Sequence, residues 1–389
     1  MESWIIFLWV FAVFWTLLFI IRHYLPKSVD VKPFLVMWKT TRFNNFIYRL
    51  GTLGKSLWKA FFTFGIAICA GGAIYITYVL AQNLFFLFFK TENASPVSPL
   101  IPGLTISLDL NTLFFFGFSV AVVMILHELS HGLAARAEGI KVKNTGLLLL
   151  AVIPGAFVEP DEQDLVKAKK SSQTRVYAAG STTNILLGII ALVILANAVF
   201  VLSPFYSTTP SGVLVVQVGA GTPAQGVLQT WDAIIDINGS AINSSQALVQ
   251  VLNATKANST VPLTILRSGS ELQLNFSLGT NPTTNSAFIG INSINYFAPN
   301  APYFPVTLPF YFTGTFSWLY LLSLNVGLIN MMPIPGLDGD RFSAILLQFV
   351  IKKEKLSQRL SNVLRWSCLA ILVLNLVLSF SVFGLVHFG

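Results

Sequence analysis

Apolar residues in this chain are gathered into long runs, six of which can cross a hydrocarbon core about 30 Å thick as helices. The runs are Trp4–Ile21, Phe61–Phe89, Leu113–Arg136, Val176–Leu202, Leu308–Leu337 and Ser367–Phe388. Between the fourth and fifth the pattern changes. From Ser211 to Gly279, short β-branched stretches such as Val213–Val216 and Val261–Leu266 alternate with turns such as Asn238-Gly239, around one helical window, Ser245–Leu252. The pattern predicts a polytopic α-helical membrane protein of about six transmembrane helices with an inserted small α+β domain. A twelve-residue apolar stretch, Gly146–Phe157, is too short to span as a helix and is broken by Pro154 and Gly155. It reads as a membrane-associated loop or hairpin, tolerated where it is buried in protein or lines a wet cavity. The charged stretch after it, Glu159–Arg175, reads as a cytoplasmic loop.

Composition agrees with lipid burial. Only 10% of the 389 residues are charged and 54% are hydrophobic, against roughly 25% charged in an average soluble domain. The net charge of +8 is divided among loops and forms no single patch, which argues against nucleic acid and for membrane sidedness. The first run lacks a positive segment before it and a small-residue cleavage site after it, so it reads as a retained helix. With its N-terminus outside, all but three of the 24 Lys and Arg residues fall on the cytoplasmic side; the exceptions are Lys90, Lys256 and Arg267. Both termini and the inserted domain are then extracytoplasmic. Cys69 and Cys368 lie within or at the edge of apolar runs and form neither a disulfide framework nor a metal pair.

The chemistry begins inside the third run. His127-Glu128-Leu129-Ser130-His131 is H-E-x-x-H, in which the i and i+4 histidines share a helix face and can bind one metal, with the glutamate beside them as general base. Each ionisable group there costs roughly 2.5–3.5 kcal/mol to insert, so three in five positions point to function over helix packing. A catalytic zinc takes three protein ligands and keeps one position open. His23, His387, Cys69 and Cys368 are poorly placed for the third. Asp338 is better placed, after Asn330-Met-Met-Pro333-Ile-Pro335-Gly-Leu337, where the helix breaks at the depth of His131. A helix-end cap with an ordinary turn is the alternative.

Taken together, His127-Glu128-x-x-His131 and Asn330-x-x-Pro333-x-Pro335-x-Leu337-Asp338-Gly339 resemble the site-2 protease family of intramembrane zinc metalloproteases. Pro154-Gly155-Ala156-Phe157-Val158 and Ala179-Gly180-Ser181-Thr182-Thr183-Asn184 extend the resemblance, although many relatives carry Gly-Pro where Gly180-Ser181 stands. The resemblance implies one Zn2+ per chain held by His127, His131 and Asp338, and Glu128 as the water-activating base. It also implies Asn184 as a catalytic, substrate-binding donor to the substrate backbone or oxyanion. Pro154 and Gly155 would help hold substrate extended. Gly221-Thr-Pro223-Ala224, Trp231-Asp232 and Asn238-Gly239 resemble a PDZ domain, which implies binding of a peptide or C-terminus.

The expected layout is two N-terminal spans with a basic loop (1–112), the first part of the protease core (113–204), the PDZ-like domain (205–300), the last core helix (301–341), then a basic segment and final span (342–389). The expected protein is a multi-pass zinc metalloendopeptidase of a prokaryotic cytoplasmic membrane. It would cut single-span membrane substrates within or beside their spans, screened by the PDZ-like domain, with partners in the lipid bilayer and none in nucleic acid. Two rivals are a metalloprotease with a glutamate third ligand, Glu159 or Glu162, and a PDZ-bearing scaffold or transporter whose polar cluster is structural.

Overall fold

The first apolar run folds as helix α1 (Ser3–Ile21) in a computed structural model that describes residues 3–151, 153–281 and 284–386. The basic segment after it, expected only as a loop, holds strands β1 (Val29–Lys32) and β2 (Leu35–Thr40) and helix α2 (Asn44–Thr52). Helix α3 (Lys55–Phe89) follows, then α4 (Leu110–Ala137), opened by Asp109, whose side chain accepts from the Thr112 N–H. The stretch read as a membrane-associated loop or hairpin folds as a β-hairpin: β3 (Val142–Leu150) pairs antiparallel with β4 (Ile153–Pro160). It completes a four-stranded sheet in the order β1-β2-β3-β4, with Leu35 opposite Leu150 and Trp38 opposite Leu147. The charged stretch expected as a cytoplasmic loop is ordered as well, into α5 (Glu162–Lys167) and the first turn of α6 (Lys170–Ala196).

After α6 and the short α7 (Ala198–Leu202), the chain forms strands β5 (Gly212–Val218), β6 (Ala233–Ile237) and β7 (Ser240–Ala241), helix α8 (Ser245–Ala254), and strands β8 (Thr260–Arg267), β9 (Ser270–Ser277), β10 (Gly279–Thr280), β11 (Ala287–Phe288) and β12 (Ile291–Tyr296). Five of these strands lie in the order β12-β5-β6-β8-β9, with β7 paired to β6 across the Asn238-Gly239 turn. Both turn residues have positive φ, as a tight two-residue hairpin requires. The core of this unit, Val193–Phe316, is apolar: Val213, Val215, Ile234, Leu263, Ile265 and Phe276 are all but fully buried. Its buried carboxylate, Asp232, is held by Arg267 at 2.7 and 2.9 Å, which raises the Arg267 pKa through that hydrogen bond.

The other unit comprises Met1–Leu192 with Ser317–Gly389. The chain returns to it through α9 (Leu308–Ile329), followed by α10 (Asp338–Val350) and α11 (Glu354–Phe383). Among the described residues five helices, α3, α4, α6, α9 and α11, are long and apolar enough to cross a membrane; the described apolar part of the first run, Trp9–Tyr24, is shorter than these. The boundaries of the last two spans differ most from expectation. The fifth ends at Ile329, because Pro333 and Pro335 cannot continue a helix. The sixth starts earlier, at Glu354, and is helical to Phe383, so Phe388 and His387 fall outside the described residues. Helices α6 and α9 cross closely through Gly188 and Gly327, where a Cβ would press on Leu324 and Ile185.

Candidate metal centre

Helix α4 carries His127 and His131 one turn apart, and both side chains turn inward; the residues are 4% and 8% exposed. The third group arrives by a chain reversal. After α9 the segment Asn330–Leu337 doubles back, and the Gly339 N–H donates to the Asn330 carbonyl at 2.7 Å. A Cβ at Gly339 would run into the backbone of Met331 and Met332, so only glycine lets the start of α10 lie this close to the end of α9. That contact places Asp338 in the first turn of α10, where the helix dipole favours an anion.

Three ligand atoms converge there. Asp338 Oδ2 lies 3.2 Å from His127 Nε2 and 3.1 Å from His131 Nε2, and one donor atom from each residue falls within 4.8 Å of the others. Metal–ligand bonds near 2.0–2.1 Å in a tetrahedron set ligand atoms about 3.3 Å apart, so the three side chains fit a zinc ion. His131 Nδ1 donates to the Val176 carbonyl at 2.7 Å, which leaves Nε2 with its lone pair facing the site. Glu128 is half-buried, and its Oε2 accepts from the Val158 N–H of β4 at 3.0 Å.

His127, Glu128, His131 and Asp338 open onto one cavity of about 750 Å³. Its walls include Phe157–Pro160 of β4, Asn330, Tyr177 and Arg341, and, from the unexpected strands, Lys32 and Lys39. Sequence reading singles out the centre but misses much of this wall. Arg341 and Tyr177 carry no motif signal in isolation, and the two lysines enter only because β2 pairs with β3 across about a hundred residues of chain. Glu159 and Glu162 also line the cavity but do not join the metal group.

Two expected substrate contacts are placed otherwise. Asn184 is fully buried behind His127, with its amide nitrogen 2.9 Å from His127 Nδ1, and does not line the cavity. It therefore meets the ring and not the space a substrate would enter. Gly155 faces Leu148 and Met124 instead of the cavity, which β4 lines farther along. Pro154 pairs with Leu149 through the backbone, and its side chain lies outside the described residues.

Comparison with known proteins agrees with this centre. Residues 115–375 match peptidase family M50, a span that holds His127, Glu128, His131 and Asp338. An uncharacterized protein of Methanocaldococcus jannaschii is 25% identical over 87% of this chain and 84% of its own. A membrane-bound transcription factor site-2 protease homolog of Arabidopsis thaliana is 29% identical over 52% of this chain and 39% of its own length. The zinc metalloprotease RasP of Shouchella clausii is 28% identical, over 42% and 47% respectively. Among solved structures, the PDZ domain of an SdrC-like protein from Listeria monocytogenes is 29% identical. It covers 22% of this chain and 90% of that domain, with a TM-score of 0.21.

Proposed function

This chain belongs to peptidase family M50, and on that premise we propose that it is a zinc endopeptidase cutting single-span membrane proteins within or beside their transmembrane segments. The observation that carries this reading is the convergence of His127 Nε2, His131 Nε2 and Asp338 Oδ2 beside Glu128 on one cavity. Zinc bound there supplies Lewis-acid polarisation of the scissile carbonyl and a water acidified to a pKa of about 7. Glu128 accepts the proton of the attacking water on its carboxylate and delivers it to the leaving amine nitrogen. Asn330 lines the same cavity, and the reading assigns its amide as a donor to the developing oxyanion.

A substrate helix has to unwind before its carbonyls can be attacked. Strand β4 is at the edge of its sheet and lines the cavity, so its backbone, apart from the Val158 N–H that Glu128 holds, can pair with an extended substrate. The clustering of Lys and Arg in loops supports an orientation with this cavity toward the cytoplasm, with α1 as a sixth span. In the other unit, β12 is also an edge strand, and α8 is tied to it through the Ser245 N–H and Asn295 Oδ1 at 2.8 Å. That edge supports a PDZ-like domain that receives an extended peptide and screens substrates by their extracytoplasmic part.

The test is cleavage of candidate single-span proteins in liposomes by wild type and Glu128→Gln, read by mass spectrometry of the products. The reading expects a fall of about 10²–10⁴-fold in the variant with zinc retained. Equal cleavage by both, or none by a fully zinc-loaded wild type against any substrate, would overturn it.

A further inference from the structure

The two histidines hold their outer ring nitrogens in different ways, and the difference assigns a role to α6. His131 Nδ1 faces a backbone carbonyl, which only accepts, so its tautomer is settled. His127 Nδ1 faces the side-chain amide of Asn184 at 2.9 Å, and an amide offers a donor at one end and an acceptor at the other. If His127 ligates through Nε2, its Nδ1 carries the proton and must meet an acceptor. The amide nitrogen cannot be one. A carboxamide's two ends are nearly isosteric, so the hydrogen-bond network decides which way it points.

One further observation favours the orientation with oxygen toward the ring. With nitrogen toward the ring, Asn184 Oδ1 is a buried acceptor without a donor among the described residues, an arrangement that costs about 1–3 kcal/mol. A half-turn of the amide brings that oxygen onto the Nδ1 proton. The ring itself lies flat on α6. A Cβ at Gly180 would come within 2.5–2.6 Å of His127 Nε2, Cδ2 and Cε1.

We propose that Gly180 and Asn184 form a positioning pair for His127, Gly180 admitting the imidazole face and Asn184 Oδ1 accepting the Nδ1 proton. Together they fix the tautomer and the angle at which Nε2 meets the metal. This inference rests on the zinc reading above and gives Asn184 a task other than contact with substrate. It also explains a glycine at 180 irrespective of the residue after it.

Zinc affinity of the purified full-length chain in detergent, measured by competition with a chromogenic chelator, tests the pair separately from proteolysis. Asn184→Ala is expected to weaken zinc binding about 10–100-fold. Asn184→Asp, which keeps an acceptor and no donor, is expected to bind within a few-fold of wild type. Gly180→Ala, which leaves Asn184 intact, is expected to weaken zinc as Asn184→Ala does. Wild-type affinity in Asn184→Ala, or equal loss in the Asp and Ala variants with wild-type affinity in Gly180→Ala, would overturn the assignment. The second outcome would return Asn184 to service as a donor. Absence of zinc from the wild type would instead overturn the enzymatic reading.

Discussion

Two groups of polar side chains lie among the apolar helices of the larger unit, and they differ in whether their ligand-type atoms converge on one point. Asn83 on α3 and Asn375 on α11 form the first. Asn83 donates to the Ser95 carbonyl and to Asn375 Oδ1, both at 2.9 Å, and accepts from the Ser95 N–H at 2.8 Å. Asn375 donates to the carbonyls of Leu80 and Ile371, while Ser379 accepts from the Val97 N–H. Every amide atom has a partner, and the group binds α3, α11 and the segment that follows α3 together. The second group is His127, His131 and Asp338, where Nε2 of each histidine reaches the same Asp338 Oδ2, at 3.2 and 3.1 Å, and the outer ring nitrogens face Asn184 and the Val176 carbonyl. Buried acceptors aimed at a common point are costly unless a cation neutralises them. Amides paired with one another and with the backbone read as packing, and two imidazoles and a carboxylate that converge on one point read as a metal site.

Breaking each group separates the two kinds. His131→Ala removes a ligand, and the expected outcome is loss of bound zinc together with loss of cleavage, checked by metal content and the liposome assay. Asn375→Ala removes packing bonds. It is expected to lower stability by about 0.6–1.7 kcal/mol, seen in unfolding in micelles, with zinc content unchanged. Loss of zinc in Asn375→Ala would erase the distinction.

A third, smaller effect belongs to the charged edge of the same unit. Glu138 caps α4 and receives Ser172 Oγ at 2.6 Å, Arg175 Nε at 2.8 Å and Lys59 Nζ at 3.4 Å. Burial pushes its carboxyl up, but the hydrogen bonds from Arg175 and Ser172 and the charges of Arg175 and Lys59 outweigh burial and hold it below its ordinary 4.5. A carboxylate lowered on folding contributes stability above its unfolded pKa and loses it as pH falls through the folded value. The stability advantage of wild type over Glu138→Gln should therefore be full above about pH 4.5 and shrink below it, as read by unfolding temperature against pH.

Much of this was legible in the chain because lipid burial makes polar residues conspicuous. His127, Glu128 and His131 stand out in an apolar run, and Asp338 stands where Pro333 and Pro335 force a break. The inserted unit was legible through its β-branched runs and Asn-Gly turn. The sheet of β1–β4 was not, since β1 and β2 are short, carry lysines, and find β3 only through pairing distant in sequence. Nor was the place of Asn184 behind His127. That depends on the rotation of α6 against α4, which no local pattern encodes, whereas the tight approach of Gly180 to the ring reports it at once.

The central claim is that residues about two hundred positions apart, on α4 and α10, hold one zinc ion. Metal content of the purified wild type and of Asp338→Ala, measured per chain under equal zinc supply, tests it most directly. The account expects one zinc per wild-type chain and a large loss in a variant that still folds. One zinc per chain in Asp338→Ala would contradict it.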